Sequence, residues 1–221
     1  RALAMTNGKR VVLVQYTVPS DLWEEEKTMQ AQALDSFELT NIVDEDVEEM
    51  LLYHFLDISE FKYPVSWEFK AQPVKSADRM SFQLLKVASK EVVRRRVFKT
   101  LDGRIQVDIV SYFATESMDL EKENFKEKLA KIGLLVSDII ETRDDFKSHK
   151  DIKLSNVEIY EALDNENSLN QYEVWMTVIE AGDYYYLATL VTPSRDEEFF
   201  TWLRNVQTYK LVIESFRPLE E

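Results

Sequence analysis

The stretch Gly182–Phe216, GDYYYLATLVTPSRDEEFFTWLRNVQTYKLVIESF, decides the fold. It opens on tyrosine, leucine, valine and threonine, which favour a pleated backbone. It closes on an apolar stripe at helical spacing: Phe199, Trp202, Leu203, Val206, Tyr209, Ile213 and Phe216. Pro193 separates the two parts, because its ring removes the backbone donor that a strand ladder needs. Ser194 and Glu197 have the spacing of a capping box, which starts the helix. A strand that runs into a long one-sided helix places that helix across a sheet.

Working outward, Asn156–Leu163, Gln171–Glu180 and Asp183–Thr192 alternate as a three-strand meander, with a turn at Ala181-Gly182. Trp175, Met176, Tyr184, Tyr185 and Tyr186 make its centre aromatic. Aromatic residues pack well on sheets. A second reading has Trp175, Tyr184 and Tyr186 line a pocket for a small ligand or lipid, as in a carrier or hydrolase. Upstream, Ser117 or Asp119 opens a helix bearing Phe125, Leu129 and Ile132; Gly133 is placed to stop it, and Leu134–Ile140 returns as a strand.

The earlier strands are Tyr63–Lys70 and Asp78–Val87. Asp102-Gly103 carries the strongest hairpin signal in the chain, between arms Val92–Leu101 and Arg104–Phe113. The second arm sets Ile105, Val107, Ile109 and Phe113 against Arg104, Gln106 and Asp108, the pattern of a sheet with one wet face. Asp44–Leu56 reads as a helix with Val47, Met50, Leu51 and His54 on one side. Its acidic start lacks the alternating ligands and glycine of a calcium loop and reads as a solvated helix end. Arg94, Arg95 and Arg96 form the densest basic spot; Arg94 and Arg96 share one strand face, which is either solvated or a docking point for an acidic partner.

An earlier segment, Gly8–Phe37, repeats the order of the opening stretch, with glycine eleven positions before a Pro-Ser pair in both. Two readings stay open. Residues 1–40 are the end of an upstream repeat, or they are one more strand-helix unit of a larger sheet; residues 41–221 form the main domain either way.

Composition bounds the function. The 221 residues carry 41 acids against 27 bases, a net charge of −14, which disfavours nucleic acid and anionic lipid as partners. There is no cysteine, and the two histidines, His54 and His149, have no triad or zinc spacing. Four glycines leave no phosphate loop. No catalytic, cofactor-binding or metal-binding residue is therefore assigned. No apolar run is long enough for a membrane helix. The chain begins at Arg1, so any targeting signal would lie upstream, and the absence of cysteine leans slightly towards an extracytoplasmic location.

A proline-led strand with Tyr63, Pro64 and Trp67, a central hairpin, a helix, a three-strand meander and a corner helix written TPSRDEEFF…IESF together resemble the PsbP-like and DcrB-like superfamily, over roughly residues 60–218. The resemblance implies an α+β fold, an antiparallel sheet packed between helices. It also implies a mostly noncatalytic role, since the members include extrinsic photosystem subunits, periplasmic lipoproteins, secretion-system chaperones and a nuclear-transport cofactor. No functional residue of those proteins has a counterpart here. The expectation is a noncatalytic module that binds a protein through a sheet face or a groove beside the helices, with monomer and homo-oligomer both left open.

Overall fold

The structure, a computed structural model, describes residues 2–6, 11–37, 48–56, 58–72, 76, 78–93, 96–165 and 170–219. The chain divides into two compact units, Arg1–Met50 and Leu51–Glu221.

In the first unit, β1 (Ala2–Thr6) pairs antiparallel with β2 (Val11–Gln15), Ala2 opposite Gln15 and Thr6 opposite Val11. The short run ALAMT carries no β-branched residue before its last position, which is why it gave no strand signal. After Pro19 the expected single helix is two pieces, a 3-10 turn at Ser20–Leu22 and α1 (Lys27–Asp35). The Tyr16 hydroxyl donates to the Glu26 carboxylate at 2.9 Å and ties the residue before α1 back to the end of the strand. Gly8 and residues 38–47 of the sequence expectations lie outside the described residues.

In the second unit, the segment expected to continue a helix is β3 (Met50–Phe55), a correction with a clear cause. Tyr53 and Phe55 alternate inward, and Tyr53 stacks on Phe69 at 3.9 Å; Leu52 and His54 alternate outward. Apolar residues on both phases had masked the period of two. The expected strand Tyr63–Lys70 is likewise two strands, β4 (Ser59–Pro64) and β5 (Trp67–Ala71), which join different sheets. Val65, half exposed, lies in the turn between them. A short strand, β13 (Arg217–Pro218), completes a three-stranded sheet in the order β13–β4–β3.

The main sheet runs β5–β6–β7–β12–β11–β10–β8, with β6 (Arg79–Val93), β7 (Arg96–Ser111), β8 (Leu134–Arg143), β10 (Val157–Asp164), β11 (Gln171–Ala181) and β12 (Tyr184–Pro193). A two-residue strand, β9 (Lys153–Leu154), adds to β11. Every pairing is antiparallel. The hairpin expected at Asp102-Gly103 is not there: β7 runs straight through both residues, and β6 pairs with β7 as far as Val93 opposite Arg96. Phe113, expected on the apolar face of that arm, lies beyond the strand and is 94% exposed.

Two helices sandwich the sheet. On one face, Ile105, Ile109, Ile159, Trp175 and Tyr186 pack with Val206, Tyr209 and Ile213 of α3 (Phe199–Ser215) and with the small sheet. On the other, Tyr160, Val174, Met176 and Leu187 pack with Phe125 and Leu129 of α2 (Met118–Lys131). Ser117 caps α2 by accepting from Leu120 N at 3.2 Å, and Gly133, at φ +90°, stops it. α3 begins later than the Ser194–Glu197 pair suggested. Ser194 Oγ accepts from Glu197 N at 3.3 Å, but Arg195 is drawn away to Glu173, and the residues before Phe199 make a turn first. No described helix is long and apolar enough to cross a membrane. The α+β class, an antiparallel sheet with helices on both faces, is as the residues implied.

Candidate functional site

The aromatic centre of the meander is packing material. Trp175 is fully buried, its ring within 6.3 Å of Trp202 and edge-on to Tyr209. Tyr186 is buried edge-on to Phe216 at 4.7 Å, and burial pushes its hydroxyl well above the usual tyrosine range. Tyr184, half-buried, lies 6.4 Å from Tyr186. Trp175 instead belongs to a polar knot at the base of α3. Its Nε1 and that of Trp202 donate to Glu173 Oε2 at 2.9 and 2.8 Å, while Arg195 donates from its backbone N and from Nε and Nη2. Burial pulls the Glu173 carboxyl up, but the hydrogen bonds from Arg195, Trp202 and Trp175 outweigh it and hold the group below its ordinary value. A carboxylate that accepts five bonds has no lone pair left for proton transfer, so the knot is structural.

The exposed chemistry lies at β8, the last strand of the sheet. Its inner side pairs with β10 through two register shifts, and among the described residues no strand pairs its outer side. Leu135, Ile139 and Ile140 are about half exposed, at 49%, 50% and 53%. Between β8 and α2 opens a cleft of about 410 Å³, lined by Asp119, Glu123, Asp138 and Glu158 and by Lys126, Ser137, Ile139 and Tyr160. Lys122 reaches both Glu158 oxygens at 2.8 Å, the Tyr160 hydroxyl donates to Glu158 at 2.7 Å, and Lys126 sits 4.3 Å over the Tyr160 ring. The wall carries more acid than base. A strand with unpaired backbone groups, apolar side chains and an acidic rim suits an extended segment bearing apolar and cationic side chains. The sequence marked 134–140 as a strand, but nothing local in it told that this strand would end up outermost.

The opposite end of the sheet carries the basic candidates. β5 stops opposite Lys86 of β6, and β12 stops opposite Arg104 of β7. Among the described residues, the two arms pair only with each other from Val87 to Leu101, down to Val93 opposite Arg96. Arg96 therefore stands at the far end of a two-stranded ribbon. Arg94 lies outside the described residues. The ribbon and the β8 cleft are at different ends of the sheet, and neither includes Trp175, Tyr184 or Tyr186.

The sequence matches no protein-family model and no curated protein. Among solved structures, the chain is similar to the cyanobacterial PsbP (CyanoP) of Synechocystis, 14% identical over 83% of this chain and 99% of that one, with a TM-score of 0.45. It is also similar to the Ran-binding protein Mog1p of Saccharomyces cerevisiae, 11% identical over 78% of this chain and 97% of that one, with a TM-score of 0.44. At these identities the likeness is one of fold alone.

Proposed function

We propose that the chain is a noncatalytic protein-interaction module whose second unit takes an extended segment of a partner protein along the outer edge of β8. One observation carries the reading: the terminal strand of the main sheet leaves its outer side unpaired among the described residues while exposing Leu135, Ile139 and Ile140. Soluble proteins usually blunt such an edge with proline or inward charge. Here the ten residues of β8 contain no proline and no lysine, and the charges flanking the isoleucines are Asp138 and Glu141. Main-chain hydrogen bonds supply affinity in this mode, and the alternate side chains and the acidic cleft supply selectivity.

A photo-crosslinking amino acid placed at Ile140 of the full chain tests the reading, with Gln207 on the exposed side of α3 as the control position. The expected result in an extract of the source cell is a protein adduct from position 140 and none from 207. That adduct should disappear when Ile139→Asp is introduced. No adduct at 140, or equal adducts at both positions, would sink it.

A further inference from the structure

We infer that the segment taken by the β8 edge is a short amphipathic strand of an unlike protein, with lysine or arginine at the alternate positions that face α2 and leucine, isoleucine or valine at those that face α3. The inference rests on the reading of β8 as a docking edge. It adds the pattern that the partner must carry.

The two faces beside β8 differ. On the α2 face, Leu134 and Val136 pack with Tyr160, Ala162, Phe125 and Leu129, and Ile139 stands opposite Tyr160. The cleft with its four carboxylates lies on this side. On the α3 face, Leu135 stands opposite Leu163, which is 37% exposed, and Glu141 stands opposite the buried Ile159 and accepts from Arg195 at 3.0 Å. The surface offered there is apolar, and the charge beside it is already paired. Side chains of a strand added to the edge alternate between the two faces, so a segment that suits both is basic on one side and apolar on the other.

The chain itself shows how the cleft seats a cation. Lys126 Nζ lies 4.3 Å over the Tyr160 ring and 2.8 Å from the Glu123 carboxylate. Lys122 takes Glu158 in the same way. That leaves Asp138, which has no ion pair among the described residues, and Asp119, whose pairing with Lys122 is long at 3.9 Å. A second copy joined edge to edge would bring two such acidic rims together, which like charges oppose. The strand register also limits the partner. Ser137, Asp138 and Ile140 have no opposite residue in β10, and bulges of this kind interrupt the ladder that an edge offers. The docked segment is therefore short, and its side-chain pattern rather than the length of its ladder selects it.

Fluorescence anisotropy with labelled synthetic peptides and the full chain tests the pattern. The probe is Lys-Val-Lys-Val-Lys-Val-Lys. Its controls are a peptide of the same composition with the lysines in one block, the same alternation with glutamate for lysine, and the probe with proline in place of its central valine. The probe should bind at least about tenfold more tightly than each control, and less tightly as salt rises above about 0.15 M. Asp119→Lys/Asp138→Lys, at two exposed positions, should reverse the preference towards the glutamate peptide, and Leu135→Ser should weaken the probe at every salt concentration. Circular dichroism verifies folding, and Asp138→Lys alone replaces the double variant if that is unfolded.

Equal binding of the block peptide would mean that the net charge of −14 alone attracts bases and would overturn the inference. So would a folded charge-reversed variant that still prefers lysine, a probe that does not bind up to about 1 mM, or a probe that binds only by dissociating a dimer of the chain. Undiminished binding of the proline peptide would overturn the docking edge itself. An adduct from position 140 to a partner protein, with no binding of the probe, would leave the β8 reading standing and remove only the pattern.

Discussion

Asn205 lies over Gly103 so closely that a β-carbon on the glycine would meet Asn205 Nδ2 at 2.5 Å. That amide nitrogen is not free to move: it donates to the Asp102 carbonyl at 2.7 Å and to Thr192 Oγ1 at 2.9 Å, and so clamps α3 to β7 and β12. Gly103→Ala should cost about 1–3 kcal/mol, the usual range for overpacking a tight contact. Asn205→Ala should cost a similar amount by stranding its partners. The double variant should cost clearly less than the sum, because both changes disturb one contact. Urea unfolding of the four proteins gives the coupling directly, and strict additivity would show that the clash is relieved elsewhere.

Gly133 has a different reason to be glycine. Its φ of +90° ends α2, and nothing lies within 4 Å of where a β-carbon would stand. Gly133→Ala should therefore cost only the backbone strain, on the order of 1–2 kcal/mol. Equal urea midpoints for variant and parent would show that the turn relaxes to negative φ without loss.

These two glycines show what the residues made legible and what they hid. Gly133 and Gly182, both at positive φ, ended elements where expected, and β10, β11 and β12 fall within a residue or so of their sequence reading, because alternation and turn chemistry agreed there. At Gly103 the same residue type misled. Asp-Gly usually means positive φ, but this glycine makes room for a side chain arriving from 102 positions later in the chain. Met50–Phe55 was misread because apolar residues occupy both strand faces, a pattern that a helix also allows. The exposed edge was invisible for a more general reason. Whether a strand is central or outermost depends on non-local pairing, and β8 precedes β10, β11 and β12 in the chain yet ends outside all three.

On the α2 face of the sheet, Asp108 is the least comfortable charge. Its side chain is 18% exposed, with Lys128 3.9 Å away, and Gln106 donates to both oxygens. Burial nevertheless outweighs Lys128, Gln106 and Arg104, with Glu121 adding to it, and its pKa is raised above the ordinary 3.8. The folded protein then holds that proton more tightly than the unfolded chain. Stability is lost as pH rises from below 3.8 through the folded value, and the loss is complete at neutral pH. Asp108→Asn should raise Tm at pH 7, on the order of 2 °C, and the advantage should vanish at pH 3. Melting curves across that range suffice. An Asn variant that is less stable than the parent at pH 7 would mean that the Lys128 and Gln106 contacts dominate.

The knot around Glu173 should respond to pH in the opposite sense. Its carboxyl is held below its ordinary 4.5 despite burial, because Arg195, Trp202 and Trp175 all donate to it. The contribution is present above the unfolded value and disappears as pH falls through the folded one. Glu173→Ala leaves two indole N–H groups without their acceptor and Arg195 with Glu141 alone, and should cost about 3–5 kcal/mol. Trp202→Phe keeps the ring against Trp175 and removes a single donor, so it should cost about 1–2 kcal/mol. Trp202→Ala also loses packing, and at about 3 kcal/mol it should fall between the two. The ordering separates the roles of the side chains: if Trp202→Phe proved as damaging as Trp202→Ala, the hydrogen bond to Glu173 rather than the ring would be what fixes the base of α3. Denaturant titrations at pH 7 and pH 3 check both the order and the expected shrinkage of the Glu173 effect in acid.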